Sequence, residues 1–423
     1  MEVAVIGAGY VGLVHAAGLA SLGHRVRVGE NNPEKLELLE VGTSPIFEPG
    51  LESILGEGLA TGLLSFEASN EAVVGAAEVV FVAVPTPQGD NGAANMSIVS
   101  AVLDEIAPKL AGDTLVVFKS TVPVGSVAKY QQFFDERNPG VTVLSNPEFL
   151  REGSAVSDFF HPDRIVIGTT SQRAAERMME LYRDLDAPVV VTDPISSEMV
   201  KYGSNAYLAT RITFANAMAN LAEAVGADVR DVLLGMGYDR RIGHHFLSPG
   251  PGFGGSCFPK DTHALVAIAE AANYDFALLK GVIEVNDEQR QRIVDKVVSA
   301  LPDGIEGAAV GLWGLAFKAG TDDTRDSPAA ELARMLAGRG ARIRAFDPEA
   351  TVDLAGVELA ADPLDAAKGA DVLLIATEWP EFQVVDLRRV RDAMAGSVIV
   401  DARNILDPDA VRRLGMEYHG VGR

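Results

Sequence analysis

The sequence predicts an α/β protein: two doubly wound parallel sheets joined by a long central helix. Three observations carry this. Short apolar strand-like runs alternate with helical stretches over residues 1–195, strand signals vanish over 196–300, and the alternation resumes over 301–423. Alternating strands and helices build parallel sheets covered on both faces. The expected division is therefore a first α/β domain at 1–195, a helical domain at 196–300 and a second α/β domain at 301–423.

The first domain opens with the strand Val3-Ala4-Val5-Ile6, followed by Gly7-Ala8-Gly9-Tyr10-Val11-Gly12 and a helical run from Leu13 to Leu22. A second strand, Arg25 to Gly29, ends in Glu30, 18 residues beyond the last glycine. A G-x-G-x-x-G between a strand and a helix, with an acid ending the next strand, is the Rossmann fingerprint. The glycines permit a tight turn and close approach of a pyrophosphate to the helix N-terminus, and the acid accepts from ribose hydroxyls. An acid there favours NAD over NADP, since it repels a 2′-phosphate. Alone, such a motif is no more than a Gly-rich turn; here all three contexts are met.

Further strands are expected at Val79–Val84, Thr114–Phe118 and Val141–Leu144. They run into Pro85-Thr86-Pro87, Lys119-Ser120-Thr121-Val122-Pro123 and Ser145-Asn146-Pro147-Glu148. Ligands of doubly wound sheets bind beyond the carboxyl ends of the strands, so these loops face the cofactor.

From Ser196 to about Ala224 one apolar-periodic helix is expected, with Lys201 and Asn205 four apart and hence on one face. A second long helix is expected over Phe276–Leu301. Between them lies Gly250-Pro251-Gly252-Phe253-Gly254-Gly255-Ser256-Cys257-Phe258-Pro259-Lys260-Asp261, which holds the single cysteine. Asp261 is the expected N-cap of the helix that follows. A lone cysteine is most often a small buried apolar residue. A cysteine before a helix start and beside a lysine, after a glycine loop, is where a thiolate becomes available.

The second α/β series begins at Ala308–Phe317 and continues with strands at Ala341–Phe346, Asp371–Ala376 and Ser397–Val400. The loop Lys318–Pro328 has cations among small polar residues and suits a phosphate-binding wall.

Composition narrows the function classes. The net charge of −23 disfavours nucleic-acid and anionic-membrane binding, and it requires that an anionic ligand be held by local positive groups. One cysteine excludes internal disulfides, and no signal-like or membrane-spanning run is apparent, so a cytoplasmic protein is expected. No metal site is expected.

A nicotinamide site together with a nucleophilic cysteine points to oxidation at the aldehyde level. A thiolate adds to a carbonyl, hydride leaves, and a thioester remains for hydrolysis. At this point the motifs can be compared with known ones. Gly252–Asp261, Asn146–Ala155, Phe317–Arg325, Gly7–Leu13 and Ser44–Gly50 resemble the signatures of the UDP-glucose/GDP-mannose dehydrogenase family along nearly the whole chain. The resemblance is greatest to the branch acting on UDP-glucose.

The resemblance implies two NAD-linked oxidations of a sugar C6 alcohol to a carboxylate, on UDP-glucose as substrate, in a cleft between the two α/β domains of a homodimer. It implies Cys257 as the nucleophile, with Lys201 and Asn205 steadying the alkoxide and oxyanion, and Asp261 positioning water or the lysine. Thr121 and Glu148 would serve the hydrolytic water. Gly7, Gly9, Tyr10, Val11, Gly12, Glu30, Lys35, Thr86, Thr121, Glu152, Lys260 and Arg325 would line NAD. Glu148, Phe149, Leu150, Arg151, Lys201, Asn205, Phe246, Leu247, Ser248, Pro249, Gly250, Gly254 and Lys318 would cradle the UDP-sugar, and Arg241 matches an arginine that often crosses a dimer interface.

Two positions depart from the family pattern: Glu30 where aspartate is commoner, and Phe246 where tyrosine is frequent. The rivals are a sister enzyme acting on GDP-mannose or a UDP-N-acetylhexosamine, a non-catalytic sensor of NAD and nucleotide sugars, and a one-hydride β-hydroxyacid dehydrogenase.

Overall fold

The computed structural model describes residues 1–89 and 92–423. The chain divides into two compact units, Met1–Ser204 with His263–Tyr274, and Asn205–Thr262 with Asp275–Arg423.

The first unit holds an eight-stranded sheet: β1 (Glu2–Ile6), β2 (Arg25–Gly29), β3 (Leu64–Glu67), β4 (Val79–Val82), β5 (Leu115–Phe118), β6 (Thr142–Ser145), β7 (Ile165–Gly168) and β8 (Val189–Thr192). Its spatial order is β3-β2-β1-β4-β5-β6-β7-β8. Strands β4 and β5 are buried at every position, which is why they read as continuous apolar runs. All pairings are parallel except β6 with β7, which meet antiparallel at Ser145 and Gly168. Strands β3, β7 and β8, four residues each, were not among the strands expected from the sequence. In β8 the three valines are exposed rather than buried, as an edge strand permits.

Between β1 and β4 the winding reverses, and there the carboxyl ends of both strands open a crevice. Apolar clusters cover the two sheet faces. One packs Leu13, Val14 and Ala17 of helix Tyr10–Ser21 against Val3, Val5 and Phe81, and the other packs Val102, Leu103 and Tyr130 against Ala4, Val80 and Val116.

The second unit repeats the permutation in six strands: β9 (Ala309–Trp313), β10 (Arg342–Phe346), β11 (Val357–Leu359), β12 (Val372–Ile375), β13 (Val398–Asp401) and β14 (Glu417–His419), in the order β11-β10-β9-β12-β13-β14. All its pairings are parallel. The carboxylate of Asp347, just past β10, stands where Glu30 stands past β2. Here it is consumed by the amides of Leu315, Ala316, Glu349 and Ala350 and by the Trp379 indole. A saturated acid has nothing left for a ribose, so only the first sheet keeps a dinucleotide edge.

The long helix runs Pro194–Val225, 32 residues, close to the expected span, with proline at its first position where no amide partner is needed. A second one runs Ala277–Ser299.

Candidate active site

At the crevice end of the first sheet, Gly7 has φ +97°, and a Cβ on Gly12 would sit 2.0 Å from the carbonyl oxygen of Gly7, so no other residue fits. A Cβ on Gly9 would meet nothing within 4 Å, and helix Tyr10–Ser21 starts without a side-chain cap or an acid in its first turn. Its first turn therefore has neither a side-chain cap nor an acid of its own. Such an N-terminus takes an anion.

Glu30 accepts from the amides of Ala8 (3.2 Å) and Asn32 (2.8 Å), which fixes its carboxylate beside the glycine turn. Asn32 in turn caps the helix carrying Lys35. The Thr86 hydroxyl donates to the carbonyl of Thr121 at 2.9 Å, joining the loops after β4 and β5. The Tyr10 hydroxyl and the Glu48 carboxylate both accept from Gly153, and Glu48 also accepts from Ala155, so the buried acid of Ser44–Gly50 holds the loop of Glu152 in place.

Beyond β6, Glu148 and Lys201 form a buried ion pair. Lys201 Nζ donates to Glu148 Oε1 at 2.8 Å, and the amide of Leu150 donates to Oε2 at 2.6 Å. Both side chains are nearly inaccessible, at 5% and 6% exposure. Burying such a pair carries a desolvation cost, so it is weak evidence of stabilisation and makes the two residues candidates for the site. A recess lined by Thr121, Ser145, Pro147, Glu198 and Lys201 adjoins it. Glu198 is held by the amides of Gly125 and Val127, and burial pushes its carboxyl above the ordinary range. Lys201 Nζ also lies 5.5 Å from the ring of Phe149, and the guanidinium of Arg164 stacks 3.4 Å above that ring. Arg151 points away to an ion pair with Asp158.

In the second unit, Cys257 immediately precedes helix Phe258–Ala271, and its carbonyl accepts from the amide of Asp261 at 2.9 Å. The expected N-cap role of Asp261 is thus corrected. The helix begins three residues earlier, with Pro259 in its first turn, where proline is tolerated. Asp261 is instead a buried helical residue whose two oxygens take Lys260 Nζ (2.5 Å) and Asn205 Nδ2 (2.6 Å). Its lysine partner here is Lys260. Cys257 is a half-buried cysteine outside any disulfide, at a helix N-terminus, where the dipole favours thiolate.

The glycine loop before it is closely fitted. A Cβ on Gly254 would lie 2.1 Å from the carbonyl oxygen of Asp326, and one on Gly255 (φ +79°) 2.8 Å from the ring of Phe317. Three buried amides on the long helices pin the loop: Asn216 accepts from Gly250, Gln289 donates to the Gly250 carbonyl, and Asn286 bonds both backbone groups of Phe253. Phe246 adopts φ 59°, a strained value for an aromatic residue at the head of the expected substrate stretch. Leu247 is buried, and Ser248 and Pro249 lead into Gly250. Lys318 Nζ lies 5.6 Å from the Phe317 ring. Arg241 and Arg325 are held by Asp239 and Asp323, each two residues away.

Sequence reading missed Arg403. Its guanidinium donates to the carbonyls of Phe317 (3.0 Å) and Ala376 (2.9 Å), and Nη1 stands 3.2 Å from where a Gly250 Cβ would be. It thereby braces two expected substrate loops at once. The available signal was its place just beyond the carboxyl end of β13. It also missed Asn216, Asn286 and Gln289, whose signal was polarity inside otherwise apolar helical stretches.

Three family models match this geometry in order. The NAD binding domain of the UDP-glucose/GDP-mannose dehydrogenase family matches residues 1–186, its central domain 195–288 and its UDP binding domain 311–408. The chain belongs to that family. In family terms, the glycine turn, Glu30 and Glu148 lie in the NAD binding domain. Lys201, Asn205, Cys257 and Asp261 lie in the central domain, and Lys318, Arg325 and Arg403 in the UDP binding domain.

Among relatives, UDP-glucose 6-dehydrogenase YwqF of Bacillus subtilis is 45% identical, with 100% of this chain and 98% of the relative covered. A UDP-glucose 6-dehydrogenase of Rhizobium meliloti is 45% identical with both chains fully covered. The structure of a UDP-glucose dehydrogenase from Pyrobaculum islandicum has a TM-score of 0.91 at 41% identity, covering 99% of this chain and 97% of that one. Among the described residues, no helix is long and apolar enough to cross a membrane.

Proposed function

We propose that this chain oxidises C6 of UDP-glucose to a carboxylate, giving UDP-glucuronate in two successive NAD-linked steps. The observation that carries the reading is Cys257 at a helix N-terminus, behind a glycine loop, in a chain aligned end to end at 45% identity with UDP-glucose 6-dehydrogenases.

The first sheet's edge fits NAD: an uncapped helix N-terminus, glycines that admit no side chain, and a fixed Glu30 carboxylate. Bound there, NAD accepts hydride from the sugar carbon. Lys35, Thr86, Glu152, Lys260 and Arg325 complete that site. In the first step the C6 hydroxyl loses its proton and the carbon its hydride, and Lys201 with Asn205 stabilises the developing alkoxide. The Cys257 thiolate then adds to the aldehyde carbon, forming a C–S bond and a thiohemiacetal. Loss of the second hydride leaves a thioester. Glu148 takes a proton from a water held with Thr121, the water oxygen attacks the thioester carbon, and the C–S bond breaks to return the thiolate. Asp261 keeps Asn205 and Lys260 in place throughout.

Phe149, Leu150, Arg151, Phe246 to Gly250, Gly254 and Lys318 hold the nucleotide sugar. The working division is 1–195 for NAD, 196–300 for assembly and chemistry, and 301–423 for the UDP moiety. Tyr207, Phe214, Leu221 and Val225 are exposed at spacings of seven, seven and four residues along the long helix, a stripe suited to a homodimer, with Arg241 exposed for a shared site. A single cysteine, which can form no internal disulfide, fits a reducing cytoplasm.

The test is a panel of nucleotide sugars with NADH as readout. Reduction with UDP-glucose supports the reading; reduction with GDP-mannose or a UDP-N-acetylhexosamine but not UDP-glucose overturns it.

A further inference from the structure

A second buried lysine lies behind Glu148. Lys119 directly follows β5 and is 7% exposed, and among the described residues no carboxylate pairs with it. Its Nζ donates to Oδ1 of Asn146 at 2.9 Å. The same oxygen accepts from the Tyr182 hydroxyl at 2.6 Å, while Asn146 Nδ2 donates to the Val166 carbonyl at 2.7 Å and its amide to Phe118 at 2.9 Å. Asn146 therefore has no freedom left. It begins the loop that carries Glu148, and Lys119 begins the loop that carries Thr121. One hydrogen bond thus ties together the two loops assigned to the hydrolytic water.

We propose that Lys119 is a positioning residue for Glu148, acting through Asn146 and through its own charge, and so serves the hydrolysis that ends each turnover. This rests on the function proposed above. The groups facing Lys119 are Glu148, Lys201 on the long helix, Tyr182 and, through Tyr182, His15 on the helix that receives the dinucleotide. Burial, with Lys201 adding to it and Glu148 opposing it, brings the amine down to about 7. Burial and the nearby Lys119 charge also hold His15 well below its ordinary value. The amine therefore changes charge near neutrality beside the carboxylate that activates water. A cation beside a carboxylate favours its ionised form, so losing that cation makes the base easier to protonate.

The two contributions separate with two variants. Lys119→Gln keeps a donor toward Asn146 without the charge; Lys119→Met removes both. The assay follows NADH with UDP-glucose in stopped flow and across pH. In both variants the acid limb of turnover should move upward by about half a pH unit or more, as expected when a neighbouring charge is lost. Lys119→Met should also lower turnover about tenfold or more, with the first NADH burst kept and KM for UDP-glucose changed less than about threefold, the split that removing base activation produces. Lys119→Gln should keep most of the turnover at its optimum pH. The inference is overturned if both acid limbs superimpose on the wild type, or if the burst is lost together with turnover. Should Lys119→Met not fold, the limb of Lys119→Gln decides. If the wild type does not reduce NAD with UDP-glucose at all, the functional reading has failed and this inference goes with it. If it does and the limbs stay put, this inference alone has failed.

Discussion

Lys201 Nζ lies 2.8 Å from Oε1 of Glu148, inside the protein and 53 residues apart in the chain. An ammonium paired this closely holds a carboxylate ready to accept a proton while keeping its own charge for an oxyanion. In the proposed reaction the pair would serve both halves: Lys201 when negative charge develops on the sugar oxygen, Glu148 when water must be activated.

Replacing Glu148 by glutamine should remove the base and leave the hydride steps. Turnover should fall about 10²- to 10⁴-fold, the usual worth of a general base. Two equivalents of NADH per site should still form in the first turnover, read by stopped-flow absorbance.

Asp261→Asn leaves one side-chain acceptor for two donors, Asn205 Nδ2 and Lys260 Nζ, and strips the charge that opposes Lys260, whose Nζ lies 2.5 Å away. Asn205 should lose its fixed orientation, and kcat/KM for UDP-glucose should drop by about tenfold or more, equal to about 1.4 kcal/mol of transition-state stabilisation. Steady-state kinetics at saturating NAD checks this.

Glu30→Ala removes the acceptor for ribose hydroxyls and the acid that repels a 2′-phosphate. KM for NAD should rise about ten- to a hundredfold, since a charged hydrogen bond contributes about 1.5–3 kcal/mol. The preference for NAD over NADP should narrow, measured by running both cofactors on the same preparation. Unchanged discrimination would count against the site.

Gly254→Ala would force a methyl to 2.1 Å from the backbone oxygen of Asp326 and 2.5 Å from the Pro328 ring. Backbone cannot move aside as a side chain can, so overpacking of about 1–3 kcal/mol is expected. The melting temperature should fall by several degrees, and activity with it, since Cys257 follows directly.

Lys119 also makes a stability prediction. Its folded value of about 7 lies below the ordinary lysine value, so between the two the unfolded chain binds one more proton than the folded one. Stability contributed at this site is therefore lowest below pH 7 and rises as pH increases through and above 7. Urea unfolding of wild type and Lys119→Met across pH 6–9 should show the wild type gaining on the variant as pH rises; a constant difference would contradict it.

Much of this was legible in the sequence, and the residues show why. The Gly7–Gly12 turn and Glu30 are local: strand, turn, helix and acid follow in order, so spacing alone places them. Cys257 announced itself as the one thiol after a glycine loop. The family resemblance was carried by long motifs and was met by models matching all three domains. What spacing cannot give is which side chains meet across distant loops. The Asn205–Asp261 bond joins positions 56 apart, and Asp261 was misread as a cap because an acid near a helix start usually is one. Arg403 was invisible because its role depends on carbonyls at 317 and 376 converging on it. Lys119 was read as a loop residue, since burial of a lysine is a tertiary fact. Strand β8 is an exposed edge and leaves no buried run to recognise, whereas β7 is a buried Ile-Val-Ile-Gly run that was overlooked for its shortness.

The most direct test of the account is the yield of NADH per mole of UDP-glucose, with wild type and Cys257→Ser side by side. The account expects two NADH per sugar from the wild type, and a variant that cannot carry the sugar through the second oxidation. A wild-type yield of one, or a serine variant that still forms full uronate, would contradict it.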